Sequence, residues 1–246
     1  MSDKTAYANA LDQINRTNKG QFINLVTMQN HYPFDKDFYN GTKTYKASGT
    51  AVGSDEVEKE IEDFSMGVHY TDQAVKEFTA QLDKIKKPIT WVFYGDHLPG
   101  IYADSDMSTE GLQLHETDYF IYSNKYARQH GSRVLRGPQS KTAFTGPNNF
   151  IALAQEQTNS KVSGYGALLL QVQKQLPVMS LDSTTNNTNS YNSATQFTAN
   201  GKIVPERSLT PKQKELYHDF KLVQYDITSG KQYLLHDNFM KEPQSK

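Results

Sequence analysis

The stretch ITWVFYGDHLPG, residues 89–100, decides the prediction of the fold. Its first six residues are apolar, aromatic or β-branched and carry no charge, which predicts a buried strand. A glycine and a Pro-Gly pair bracket the tight loop that follows the strand. In this loop Asp96 and His97 stand side by side, a carboxylate next to an imidazole. The stretch therefore predicts a strand that presents two metal-type ligands where it ends.

A strand and a long helix precede this stretch. Residues 22–28 are rich in apolar and β-branched side chains and predict a strand that ends just before His31. Residues 57–85 have apolar side chains every three or four positions, which predicts one helix capped by Ser54. Strand, helix and strand form a βαβ unit, so we expect parallel strands. Parallel strands place His31 beside Asp96 and His97 at one edge of the sheet, where α/β proteins bind ligands.

The remaining chain predicts a third strand at residues 117–122, followed by helices at 147–155 and 164–176. Residues 180–201 are nearly all Ser, Thr, Asn and Asp, which is typical of a linker or an exposed excursion. Thr210-Pro211 offers a cap with proline in the first helical turn and predicts a last helix to about residue 225.

Composition excludes several classes of protein. The net charge of the 246 residues is -1, so no basic field favours nucleic acid. Cysteine is absent, which excludes disulfides and thiolate metal sites. We find no signal peptide and no apolar run of membrane-spanning length, so we expect the chain itself to be soluble.

The candidate site residues have alternative interpretations. Asp96 and His97 suit Zn²⁺, Mn²⁺ or iron, and Mg²⁺ less well. Alternatively, Asp96 caps a turn and His97 lies on the surface. His31 either binds a phosphate or sulfate oxygen, or moves a proton, or is a loop histidine bonded to the backbone. We identify no catalytic nucleophile and no second ligand cluster, so the sequence predicts half of a metal-assisted transfer site.

These residues resemble a known family. The segment YGDHLP, residues 94–99, resembles the late metal-binding motif of the lipoteichoic acid synthase family. Its members are sulfatase-like phosphoglycerol transferases of the alkaline phosphatase superfamily. Four other segments resemble parts of the family in the same order. Residues 2–4 resemble the segment before the family's first helix, and residues 28–34 resemble its histidine motif. Residues 68–74 resemble its helix before the Asp-His strand, and residues 118–124 resemble the next strand. The resemblance covers roughly residues 1–175, and the later part resembles C-terminal extensions of some bacterial members.

The resemblance implies the fold and the domains. We expect an α/β protein with a partial alkaline-phosphatase or sulfatase-like fold, in which helices flank a mainly parallel sheet. Residues 1–179 are then the C-terminal portion of a sulfatase-like catalytic domain. Residues 180–207 are a polar linker or excursion, and residues 208–246 are a C-terminal helical extension.

The resemblance also implies the site. Asp96 and His97 become ligands of a divalent ion, usually Mn²⁺, with Mg²⁺ or Zn²⁺ as alternatives. His31 contacts the phosphoglycerol head group. The family's early Glu ligand, nucleophilic Thr and Trp-Arg substrate stretch lie upstream of the segment that matches Ser2-Asp3-Lys4. No threonine of this chain is therefore assigned as the nucleophile.

The expected function follows from the family. Its members transfer glycerol phosphate from phosphatidylglycerol to a growing polymer at the extracellular face of the cell membrane. We expect a C-terminal fragment of such an enzyme, inactive alone, acting in lipoteichoic acid or related cell-envelope polymer synthesis. Its partners are a phosphatidylglycerol-type head group, a glycerol-phosphate polymer and a second copy bound through an exposed sheet edge. The alternatives are a catalytically silent binding remnant and a sulfate or phosphate ester hydrolase.

Overall fold

The structure is a computed structural model of the chain and describes residues 1–34, 45–49, 54–102, 105–135, 143–181 and 195–243. The chain divides into two compact units. The first unit contains Met1–Ile89, His97–Ser105 and Asn124–Tyr126. The second contains Thr90–Asp96, Asp106–Ser123 and Ala127–Lys246.

Two helices build the first unit, α1 (Asp3–Asn15) and α2 (Asp55–Leu82). The hydroxyl of Ser2 caps α1 and that of Ser54 caps α2, each by accepting a hydrogen bond from a backbone N–H of the first turn. The predicted helix with Ser54 as its cap is therefore confirmed, and it ends at Leu82. Among the helices of the described ranges, none has the length and apolarity that crossing a membrane requires.

The two helices pack through small and aromatic side chains. The ring of Tyr7 on α1 stacks on that of Phe78 on α2, with centroids 4.8 Å apart. Buried alanines allow the two backbones to approach, and larger side chains of α2 fill the space between them. The buried apolar residues of the two helices are Ala6, Tyr7, Ala10, Met66, Ala74, Phe78 and Leu82.

The predicted strand at residues 22–28 is wrong for this structure. The segment has no strand pairing, and Phe22, Val26 and Met28 are 90%, 68% and 57% exposed. β-Propensity describes how well a side chain suits a pleated sheet, but a strand exists only where a neighbouring strand pairs with it. No described segment pairs with residues 22–28, so no βαβ unit forms.

The second unit contains β1 (Thr90–Tyr94) and β2 (Tyr119–Ser123), which pair antiparallel from Thr90↔Ser123 to Tyr94↔Tyr119. Both strands were predicted, but the expected mainly parallel sheet is wrong for the described strands, whose pairs are all antiparallel. Consecutive strands pair antiparallel when the connection returns the chain along the same edge, whereas parallel pairing needs a crossover. The described residues of the connection contain short helical turns, including α3 (Met107–Glu110).

Helix α5 (Phe150–Thr158) covers one face of this two-stranded sheet. The ring of Phe150 contacts Tyr94 and Tyr119, with centroids 4.7 and 5.3 Å away. The amide of buried Gln157 donates to the carbonyl of Ile121 at 3.0 Å. Helix α4 (Lys125–Gln129) follows β2, and α6 (Gly164–Gln175) follows α5.

A second antiparallel sheet has the order β3 (Val178–Leu181), β4 (Thr195–Ala199), β5 (Lys202–Val204). Part of the predicted linker 180–207 therefore forms strands; residues 182–194 lie outside the described residues. Because Phe197 points into the core, it anchors β4 despite the polar sequence around it. The buried core contains Ala152, Leu169, Val172, Leu176, Phe197, Leu209, Tyr217 and Phe220.

The last helices are α7 (Pro211–Thr228) and α8 (Tyr233–His236). Thr210 caps α7 with Pro211 in its first turn, as the sequence predicts. Gln213 completes a capping box with Thr210. Tyr217 on α7 packs edge-on against Phe197 at 5.2 Å. The division of the chain into residues 1–179, 180–207 and 208–246 stays a prediction.

Candidate functional site

Two loops of the first unit meet at a pair of histidines. The ring centroids of His31 and His97 are 5.7 Å apart, and the ring planes are nearly perpendicular. A Cβ on Gly100 would lie 3.7 Å from the ring of Tyr32, so the same two loops approach each other at a second point. The structure therefore brings His31 and His97 together, as expected, although not through parallel strands.

Both imidazoles are oriented by a backbone carbonyl. Nδ1 of His31 lies 2.6 Å from the carbonyl oxygen of Tyr32, and Nδ1 of His97 lies 2.8 Å from that of Leu98. A carbonyl only accepts, so Nδ1 donates in both cases, and a neutral ring then has its lone pair on Nε2. Histidines that bind metals commonly use such a bond to fix the tautomer and the ring direction. A loop histidine with a purely structural role makes the same bond, so the assigned roles stay predictions.

Asp96 directly precedes His97 in the chain and is exposed, as His97 is. A carboxylate oxygen and an imidazole Nε2 are suitable donors for Mn²⁺ or Zn²⁺. The described ranges contain no group of three or more His, Cys, Asp or Glu side chains that could hold a metal ion. The role of Asp96 and His97 as metal ligands therefore stays a prediction, and a bound ion would need further donors.

The backbone in front of Asp96 is fixed within the second unit. Gly95 donates its N–H to the carbonyl of Asp118 at 3.2 Å, and its carbonyl accepts from the hydroxyl of Thr117 at 2.6 Å. A Cβ at Gly95 would lie 3.2 Å from Cβ of Thr117, which is tighter than ordinary contact. The close approach of Thr117 therefore favours glycine at the position before the candidate ligand.

The loop that contains His31, residues 29–34, is attached to α2. The amide of Asn30 donates to the hydroxyl of Thr71 at 2.9 Å, and the amide of Gln29 donates to the carbonyl of Gly67 at 3.1 Å. Further along the loop, Phe34 packs against a phenylalanine of α2 at 5.5 Å. Sequence analysis missed these supports. The sequence contained two signals for these supports: the polar residues Gln29 and Asn30 before His31, and the hydroxyl of Thr71 beside the apolar stripe of α2.

A buried asparagine holds the turn between α2 and the Asp-His stretch. Asn124 is 0% exposed, and its amide nitrogen lies 3.0–3.1 Å from the carbonyls of Leu82, Ile85 and Lys87. Its side-chain oxygen accepts from the N–H of Ile89 at 3.1 Å. One side chain thus links the end of α2 to the turn that follows it. Sequence analysis did not identify Asn124 as a support.

Comparison with known proteins agrees with this structure. A family model described as Sulfatase matches residues 1–159. The structure of Streptococcus pyogenes phosphoglycerol transferase GacH in complex with sn-glycerol-1-phosphate is similar, with a TM-score of 0.72 and 32% sequence identity. The match covers 98% of this chain and 53% of GacH, so the chain spans about half the length of that protein. A search of curated proteins finds no match.

These matches confirm the α/β fold class and the sulfatase-like fold that the sequence resemblance implies, with the strand pairing corrected as above. The family model alone covers more than half of the 246 residues. The chain belongs to the sulfatase family, and its fold is similar to that of the phosphoglycerol transferase GacH.

Proposed function

We propose that this chain contributes the His31, Asp96 and His97 side of the active site in a metal-dependent phosphoglycerol transferase. The observation that supports this most is the similarity to GacH over 98% of the chain, because that protein is bound to sn-glycerol-1-phosphate. The meeting of His31 and His97 provides independent support from side-chain geometry. The enzyme acts in the synthesis of lipoteichoic acid or a related polymer at the extracellular face of the cell membrane.

In this proposal His31 binds the phosphoglycerol head group through Nε2, because Nδ1 is bonded to the carbonyl of Tyr32. Asp96 and His97 are two ligands of a divalent ion, Mn²⁺ in the first instance and Mg²⁺ or Zn²⁺ as alternatives. When bound, such an ion acts as a Lewis acid on a phosphoryl oxygen. No residue of this chain is assigned as the nucleophile, so we expect no turnover from the chain alone.

The proposed partners are a phosphatidylglycerol-type head group, a glycerol-phosphate polymer and a second copy of the chain. Self-association is supported by residues 22–28, whose exposed apolar side chains follow a strand-like sequence without strand pairing. Such segments readily add a strand from another molecule.

Calorimetry with Mn²⁺ and with sn-glycerol-1-phosphate tests the assigned roles. We expect Asp96→Ala and His97→Ala to abolish Mn²⁺ binding, and His31→Ala to weaken glycerol phosphate binding while Mn²⁺ still binds. His218→Ala serves as the matched control, since this histidine is exposed on α7. Unchanged Mn²⁺ affinity in both metal-ligand variants would remove the metal assignment.

The family model favours one second candidate, a hydrolase of sulfate or phosphate esters. Metal-dependent hydrolysis of an aryl sulfate by the chain alone would favour that candidate. Metal-dependent release of glycerol phosphate from phosphatidylglycerol by the chain alone would contradict the expected lack of turnover.

A further inference from the structure

A buried hydrogen-bond network connects the start of α1, the middle of α2 and the loop that contains His31. Asp3 is 1% exposed, and its Oδ2 accepts a hydrogen bond from the hydroxyl of Thr71 at 2.5 Å. The backbone N–H of Asp3 donates to the side-chain oxygen of Gln29 at 3.0 Å. One residue at the start of α1 thus bonds to both α2 and the loop.

Thr71 is the centre of the network. Its hydroxyl donates to Asp3 and accepts from the amides of Asn30, at 2.9 Å, and Gln29, at 3.3 Å. A hydroxyl has one proton to donate and two lone pairs, so all of its hydrogen-bonding capacity is used. The bond to a carboxylate is of the charge-assisted kind, which is shorter and stronger than a bond between neutral groups.

The network determines where His31 stands. Asn30 and Gln29 are the two residues before His31, and both of their amides are held by α2. The N–H of His31 donates to the carbonyl of Met28 at 3.3 Å, which closes a turn over the same residues. The side chain of His31 is exposed, and its ring faces solvent and His97. The hydrogen bonds of the two preceding residues hold its backbone from the buried side.

We propose that Thr71 and Asp3 are positioning residues that hold the imidazole of His31 in place for an anionic phosphoglycerol group. This inference rests on the proposed function of His31. Thr71 and Asp3 act through Asn30 and Gln29 and have no direct role with the ligand. Their effect is therefore on the direction and order of the His31 ring.

Three variants on one helix test the proposal. Thr71→Val removes the hydroxyl and keeps the shape, and Thr71→Ser restores the hydroxyl. Thr79→Val is the matched control, because the hydroxyl of Thr79 donates within α2 to the carbonyl of Val75 at 3.0 Å. The readouts are the ring NMR signals of ¹⁵N-labelled His31 at one fixed pH, the affinity for sn-glycerol-1-phosphate, and the melting temperature.

We expect Thr71→Val to shift the ring signals of His31 and to weaken ligand binding by roughly tenfold, the lower end of the effect of removing a supporting bond. Thr71→Ser and Thr79→Val should keep wild-type signals and affinity. If Thr71→Val lowers the melting temperature but leaves the His31 signals and the affinity unchanged, the network is only structural and the proposal is overturned.

Two further variants separate this proposal from the proposed function. If His31→Ala leaves ligand affinity unchanged, the proposed role of His31 fails, while the ring signals still decide whether Thr71 positions it. If Thr71→Val does not fold, Asp3→Asn replaces the charged acceptor with a neutral one of the same shape. We then expect Asp3→Asn to shift the His31 signals, by less than the shift expected of Thr71→Val. Unchanged signals in Asp3→Asn would overturn the proposal.

Discussion

The imidazole rings of His31 and His97 lie 5.7 Å apart at an interplanar angle of 87°, although the 28-residue helix α2 separates them in the chain. Each ring donates through Nδ1 to the carbonyl of the residue that follows it. The two side chains can therefore act on neighbouring atoms of one ligand. This relationship leads to a prediction that does not require turnover.

Mn²⁺ should broaden the ring NMR signals of His97 and His31 together. If His97 binds the ion, the ring of His31 lies close enough for the paramagnetic effect, which falls steeply with distance. Diamagnetic Mg²⁺ at the same concentration is the control and should leave both signals sharp. His97→Ala should abolish the broadening at His31, and broadening that persists in this variant would show that the ion binds elsewhere.

Replacing Asn124 with alanine should destabilise the chain strongly. The variant removes the amide nitrogen beside the carbonyls of Ile85 and Lys87 and the side-chain oxygen that accepts from the N–H of Ile89. Leaving buried polar groups without partners costs about 1–3 kcal/mol each, so we expect a loss of at least about 3 kcal/mol in the free energy of unfolding. Urea denaturation measures this loss. Asn18→Ala, at an exposed asparagine, should stay within about 0.5 kcal/mol of the wild type.

Tyr7 should make the chain sensitive to alkaline pH. Burial raises the pKa of its phenol well above the ordinary value of 10.0, and the negative charge of Asp3 raises it further. Above pH 10 the phenol ionises in the unfolded chain but stays neutral in the folded one. The contribution of Tyr7 to stability is therefore complete below pH 10 and declines as the pH rises through the pKa of the folded state.

Urea denaturation at about pH 9 and about pH 11 tests this prediction, since a fully effective group changes stability by about 1.4 kcal/mol per pH unit. Tyr7→Phe keeps the stacking on Phe78 and removes the ionisable group, so it should lose less stability between the two pH values. Tyr225→Phe is the control at a 63% exposed tyrosine. An equal loss in wild type and Tyr7→Phe would contradict the assignment.

The exposed apolar face of residues 22–28 should promote self-association. Sedimentation velocity over a range of concentrations measures this, with Phe22→Lys/Val26→Lys as the test variant, because charged side chains oppose pairing of strand edges. We expect the double variant to sediment as a monomer where the wild type associates. Leu222→Lys, at a 52% exposed leucine of α7, is the control. Equal association of wild type and double variant would place the interface elsewhere.

Local patterns predicted most of the helices correctly. Helices α2 and α7 each have a start signal in the sequence, Ser54 and Thr210-Pro211 respectively, and a periodic apolar face. Such signals depend on residues only a few positions apart. Residues 22–28 show the limit of this approach. Their composition favours a strand, but the pairing depends on whether another strand lies beside them, which a local pattern does not contain.

The polar segment 180–207 shows a second limit. Its composition is typical of a linker, yet Phe197 is 1% exposed and packs against Tyr217 of α7. One buried aromatic side chain is enough to attach a polar strand to a core, because it removes a large apolar area from water. The average composition of a segment does not reveal one buried aromatic side chain of this kind.

The sequence by itself indicated most of the long helices, the two strands before and after the Asp-His stretch and the candidates His31, Asp96 and His97. Only the tertiary structure decided which residues support them. Thr71 and Asp3 are 68 positions apart and meet because α1 packs on α2. A hydrogen bond between distant residues exists only when packing brings donor and acceptor within about 3 Å. The candidate residues were therefore visible in the sequence, whereas the contacts that support His31 depend on helix packing.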